Sequence, residues 1–171
     1  MTGQLHTASF IQMLLIALMI VTPAFGQGGP KGRGMMGDAA HGADMQLFHQ
    51  LFEHRTEINR QVSAREDGIE TVTESKNPEV TRLLQTHVAS MLARVKEGRP
   101  IHQRDPLFVE LFKYADRIEA RHELTAGGVR VIETSKDAYV VNLLQAHAEV
   151  VSAFLANGMS EMMKNHPVPP R

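Results

Sequence analysis

Two stretches of this chain carry the same residues in the same order sixty positions apart, and any fold must accommodate both. Val80, Leu83, Leu84, Gln85 and His87 return as Val140, Leu143, Leu144, Gln145 and His147. Upstream, Phe48, Leu51, Phe52 and Ile58 return as Phe108, Leu111, Phe112 and Ile118. Gly68 returns as Gly128, Ser75-Lys76 as Ser135-Lys136, and Gly98 as Gly158. The register holds without an insertion. Apolar spacing and glycines agree together, so the chain reads as an internal duplication. Two long copies point to a pseudo-twofold domain, since a solenoid would need more units.

Each copy reads as helix, strand, helix. Val80 to Val95 places Val80, Leu83, Leu84, His87, Val88, Met91, Leu92 and Val95 on one apolar stripe at helical spacing, with Asn77-Pro78 as its start. Asp137 is the corresponding cap in copy two, and Gly98 and Gly158 suit the ends of these helices. The helix before each strand is expected from about Asp44 to Val62, with Asp44 as N-cap, and from Asp105-Pro106 onward in copy two. Gly68–Ser75 and Gly128–Ser135 are short, rich in β-branched residues and bounded by turn residues, so both read as strands. The expected fold is α+β, in the order α-β-α-α-β-α. A two-stranded antiparallel ribbon at the pseudo-twofold would pack on four helices.

The chain also divides by composition. Residues 1–26 hold no Lys, Arg, Asp or Glu, and Phe10 to Val21 is an apolar run of twelve, the length of a signal-peptide core. Ala24 and Gly26 are the small residues of a cleavage site before Gln27. An uncleaved anchor is the alternative. Residues 27–43 are Gly-rich and read as a flexible linker. The domain is expected over 44–166, as copies of about 44–103 and 104–166, with a Pro-rich tail at 167–171. The expected location is periplasmic or secreted, with no stable membrane insertion after cleavage.

A formal charge of −1 argues against nucleic acid as a partner, because phosphate binding needs a basic surface. A protein partner or a homodimer stays open. Cysteine is absent, which removes disulfides, thiolate nucleophiles, iron–sulfur clusters and covalent c-type haem. The runs HVASMLARVKEGRPI and RDPLF, and a helix ending LLQ-x-H in each copy, resemble a family of small exported bacterial proteins with an internal duplication. That resemblance covers about residues 45–166 and implies export and duplication, but no activity.

His87 and His147 are the candidate site residues, one in each apolar stripe. Brought to one axis, two neutral imidazoles would ligate copper or haem iron. The alternative is a pair of core histidines bonded to neighbours such as Gln85 and Gln145. Met35, Met36 and His41, with Met45, Met159, Met162, Met163 and His166, are weaker copper ligands, more often linker or core filler. Glu119 and His122 form an E-x-x-H step without its counterpart in copy one, and are read as helix surface. Ser75-Lys76 and Ser135-Lys136 are read as solvated loop. No H-E-x-x-H, G-x-S-x-G or Walker loop is present. The reading is an exported, non-enzymatic binding or interaction domain that takes a metal or haem through His87 and His147. Its alternative is a structural or partner-binding module, and a third reading is an enzyme of unrecognised type.

Overall fold

A computed structural model describes residues 40–171. The expected signal segment, most of the expected linker, Met35 and Met36 lie outside the described residues. The chain runs α1 (His41–Glu53), β1 (Ile58–Arg65), β2 (Gly68–Ser75), α2 (Pro78–Glu97), α3 (Pro106–Lys113), β3 (Glu119–Leu124), β4 (Gly128–Thr134), α4 (Ala138–Asn157) and α5 (Met159–Met162). The protein is α+β, with one four-stranded antiparallel sheet in the order β1-β2-β4-β3.

Two strands beyond the expected ribbon are therefore present. Each half is helix–hairpin–helix, because the expected first helix stops early. Arg55 and Thr56 interrupt the apolar stripe after Phe52, and Arg55–Glu57 form a 3-10 turn. From Ile58 the chain extends, and Ile58, Arg60, Val62 and Ala64 fall on one face at strand spacing. In the second half Ala115–Arg117 make the same turn, and β3 follows. At its start, α1 begins at His41 inside the expected linker, with Ala40 rather than Asp44 at the N-cap position.

The expected pairing of the two Gly-led strands is the centre of the sheet. Thr71 lies opposite Val131, so the register of β2 on β4 reads alike from either half. Ile69, Thr71, Thr73 and Ser75 are buried on one face, as are Val129 and Val131. On that face α2 packs across β2 and β4, while α4 packs on β1, β2 and β4. Each long helix thus crosses onto the other half. The opposite face carries an ion-pair ladder, with Arg130 donating to Glu70 at 2.8 Å and to Glu123 at 3.1 Å.

The halves also hold each other's hairpin turns. The Ser75 amide donates to the Gly127 carbonyl at 2.8 Å, and the Ser135 amide to the Asp67 carbonyl at 2.9 Å. Gln85 Nε2 donates to the Gly128 carbonyl at 3.0 Å, and Gln145 Nε2 to the Arg65 carbonyl at 3.1 Å. These glutamines do not serve the histidines. Ser75 and Ser135 recur for a local reason: their hydroxyls accept from the amides of Asn77 and Asp137, ahead of the caps of α2 and α4.

Leu143, Leu144 and Ala148 are fully buried in a core with Leu107, Phe108, Leu111 and Phe154, while Val80 and Leu84 pack with Leu51 in a second, smaller cluster. α4 is long and apolar enough to cross a membrane by composition alone. Leu143, Leu144, Ala148, Val150 and Phe154 of this helix lie in the core. One buried ion pair has no counterpart in the second half. Arg94 Nε donates to Asp44 Oδ2 at 2.6 Å, and Ser90 Oγ donates to the same carboxylate. Both charged residues are essentially sealed from solvent.

Two sets of variants follow from this packing. A Cβ on Gly68 would strike the Glu133 carbonyl, and one on Gly128 the Thr73 carbonyl, both backbone atoms of the facing strand. Gly68→Ala and Gly128→Ala are each expected to lose about 2–4 kcal/mol in urea unfolding. Gly98→Ala meets open space at φ +61° and should lose only about 1 kcal/mol. Asp44→Ala leaves the Arg94 guanidinium buried without its carboxylate and should lose about 3–5 kcal/mol by the same measurement.

Candidate binding site

His87 and His147 sit at matching places. Each is on its half's long helix, and each packs edge-on against the phenylalanine of the preceding helix. The His87 and Phe48 ring centroids are 4.7 Å apart, and those of His147 and Phe108 are 5.0 Å apart. The two imidazoles make no ring contact with one another, since each faces its own helix pair. Both residues keep some solvent access, but each Nδ1 is buried and meets no protein hydrogen-bond partner. Burial pushes both pKa values down to about 4, so both rings are neutral at pH 7.

Arg60, which the sequence reading passed over, stands on the helix-facing row of β1. It pairs with Thr73 in the ladder, and its Nη1 donates to Thr73 Oγ1 at 2.9 Å. Its Nε is buried and unpartnered. The guanidinium opposes protonation of both His87 and His147. It is the one charged group among the described residues that bears on both rings. Asp44 acts on His87 alone, and Asp105 and His102 on His147 alone. Glu133 stands on the same face of β4. Burial raises its pKa, and Arg60 partly counters that.

A second cluster surrounds Asp105, which is fully buried. Asp105 caps α3 through the Leu107 amide and accepts from the His166 amide at 3.1 Å. His166 Nδ1 lies 2.5 Å from Asp105 Oδ2, and its Nε2 lies 3.2 Å from Glu161 Oε1. Burial works against the charged His166 ring, but the bonds to Asp105 and Glu161 prevail and raise its pKa. Lys164, His166 and Asn157 hold Glu161 down to about 2. The tail is therefore pinned, with Val168 against the core and Arg171 over the Tyr139 ring. His102 adopts φ +55°, unusual for a side-chain-bearing residue, with Nε2 buried 3.7 Å from Asp105. Sequence spacing offered no signal for these contacts, because Asp105 and His166 lie 61 positions apart.

Other candidates separate. Glu119 and His122 lie on the exposed strand β3, not on a helix, and an i,i+3 pair on a strand points to opposite faces. His41 opens α1, while Met159 and Met163 are exposed and Met162 packs on the core. Among the described residues, no group of three or more His, Asp or Glu side chains is arranged to hold a metal ion. A surface hollow of about 560 Å³ is lined by Glu57, Asn59, Glu74 and Lys76, and another of about 320 Å³ by Arg65, Glu119 and Arg121. Neither is lined by His87 or His147. No family model, curated protein or solved structure matches the chain.

The histidines give stability two opposed pH dependences. His87 and His147 fold with lowered pKa values, so their contribution is complete above about pH 6.5. It is lost as pH falls toward about 4, a loss of ~3 kcal/mol per ring at most. His166 folds with a raised pKa, so its contribution is complete below about pH 6.5. It is lost as pH rises through the folded value. Urea midpoints across this range should fall on both sides. His166→Gln should reduce the alkaline slope to the share left by His54, whose pKa its bond to Glu57 also raises, and leave the acid one.

Proposed function

We propose that this chain is an exported, non-enzymatic binding or interaction domain in which His87 and His147 are neutral imidazoles bordering a polar interior, not ligands of one shared metal or haem. The observation that carries this reading is Arg60. A guanidinium whose charge bears on both rings disfavours a second cation beside them. The rings also face separate phenylalanines. The metal or haem reading has one observation in its favour, that each neutral ring presents an unpartnered Nδ1, the form that ligates. Among the described residues no third His, Asp or Glu side chain is grouped with them to complete a metal site.

We further infer that one helix–hairpin–helix unit was doubled. The sixty-residue match of His87 with His147 and Gln85 with Gln145, and the register that sets Thr71 opposite Val131, support this. Export rests on the apolar run Phe10 to Val21 and the small residues before Gln27. A protein partner or a homodimer fits a near-neutral chain better than nucleic acid does.

The test is metal analysis and an absorption spectrum of the full chain purified from cells supplied with copper and haem. The expected result is no stoichiometric metal and no Soret band, with His87→Ala and His147→Ala lowering only the melting temperature. One equivalent of copper, or a Soret band lost in either variant, would overturn the reading.

A further inference from the structure

The sheet ends in two open edges, β1 and β3. β3 is the barer one, since all six of its residues are exposed. Leu124 stands out there, an aliphatic side chain at 64% exposure on the helix side of the sheet, opposite buried Val129. The backbone of β3 is also half unused. The Thr125 amide donates to the Gly128 carbonyl at 3.0 Å, which sets the phase of the ladder. In an antiparallel pair every second residue bonds to its neighbour strand. Glu119, Arg121 and Glu123 therefore bond to β4, and the amides and carbonyls of Ala120, His122 and Leu124 point to the open side. A row of free backbone groups is a template for another strand.

The side chains of β3 decide which strand fits. Two edges can bond only in a register that sets their open residues opposite one another. Laid antiparallel on a copy of itself with His122 opposite His122, β3 meets that condition, because Ala120 then faces Leu124. The same register sets Arg121 of each copy opposite Glu123 of the other, and opposite charges directly across a strand pair attract. A slip of two residues either way would set Arg121 against Arg121 or Glu123 against Glu123. Both charged groups are available. Among the described residues Arg121 makes no ion pair within its own chain, and Glu123 meets Arg130 through Oε2, which leaves Oε1. We propose that β3 is an interface for a second copy of this chain, the two sheets joining edge to edge about a twofold axis at His122. The proposal rests on the reading of the chain as an interaction domain and names its partner. β1 offers no such match. In the equivalent register Val62 lies opposite itself and Gln61 opposite Ser63, with no charge pair. A contact in which the same strand serves both copies closes at two.

The experiment is sedimentation equilibrium of the full chain over a concentration series, with circular dichroism to check each variant's fold. The expected result is a monomer–dimer equilibrium. His122→Pro removes an amide that β4 does not use, so the fold should survive while dimerisation weakens by about tenfold or more. Arg121→Glu and Glu123→Arg each set like charges across the seam and should each weaken self-association by about tenfold. Mixed together, the two variants restore both charge pairs and should associate as the unaltered chain does. The chain has no cysteine, so His122→Cys, which lies opposite itself, should cross-link as a disulfide dimer on mild oxidation. That variant decides the matter if His122→Pro does not fold. A chain that stays monomeric would overturn the proposal, as would charge variants that fail to associate when mixed. So would a dimer indifferent to these substitutions, which would place the contact on β1 or on the apolar run Phe10 to Val21. A monomer without metal would leave the broader reading in place with another partner. Stoichiometric copper or a Soret band in a chain that still dimerises through β3 would overturn the broader reading and leave this interface standing.

Discussion

The antiparallel seam between β2 and β4 is the contact on which the other elements depend. β2 and β4 carry the buried faces Ile69, Thr71, Thr73 and Ser75, and Val129 and Val131. Their glycines, Gly68 and Gly128, let backbone approach backbone where a side chain would collide. Ser75 and Ser135 then extend the seam by bonding the opposite hairpin turn, and Gln85 and Gln145 reach those turns from the helix layer. Because α2 and α4 pack across this seam, each half's strands are covered in part by the long helix of the other.

Around that shared frame the two halves differ where chemistry is concerned. Arg60 stands where the second half has Ala120, and Glu133 where the first half has Thr73. Arg94, sealed against Asp44, stands where the second half has Phe154, which stacks on Phe108. The shared positions are those of the frame: caps, turn glycines, the glutamines, and the pairing of His with Phe. The unshared ones place a cation on one side of the sheet's inner face and an acid on the other. That asymmetry sets the surroundings of Arg60 apart from plain symmetric packing.

The sequence announced the central strands because both of their faces carry information. Gly68 and Gly128 mark the starts, and β-branched residues follow. It announced the long helices through their stripes and caps, with Asn77 and Asp137 both bonded as expected. It concealed β1 and β3 because edge strands here are largely solvent-exposed. All of β3 is exposed, so no alternation is imposed on its residues. Arg94 was legible in principle, since it follows Leu84, His87 and Met91 at helical spacing on the buried stripe. Its charge disguised it, and its partner Asp44 looked like a cap. The candidate histidines were legible by their recurrence alone. Arg60 was not, because its meaning depends on which face of a hidden strand it occupies.

The seam joins residues that lie about sixty positions apart, whereas each of its strands also pairs locally with its own hairpin partner. During synthesis the first hairpin emerges with one flank of β2 bare, and that flank stays bare until Thr134 has left the ribosome. Closure is therefore a late event that needs nearly the whole chain. Such a polypeptide stays threadable for as long as its second half is withheld.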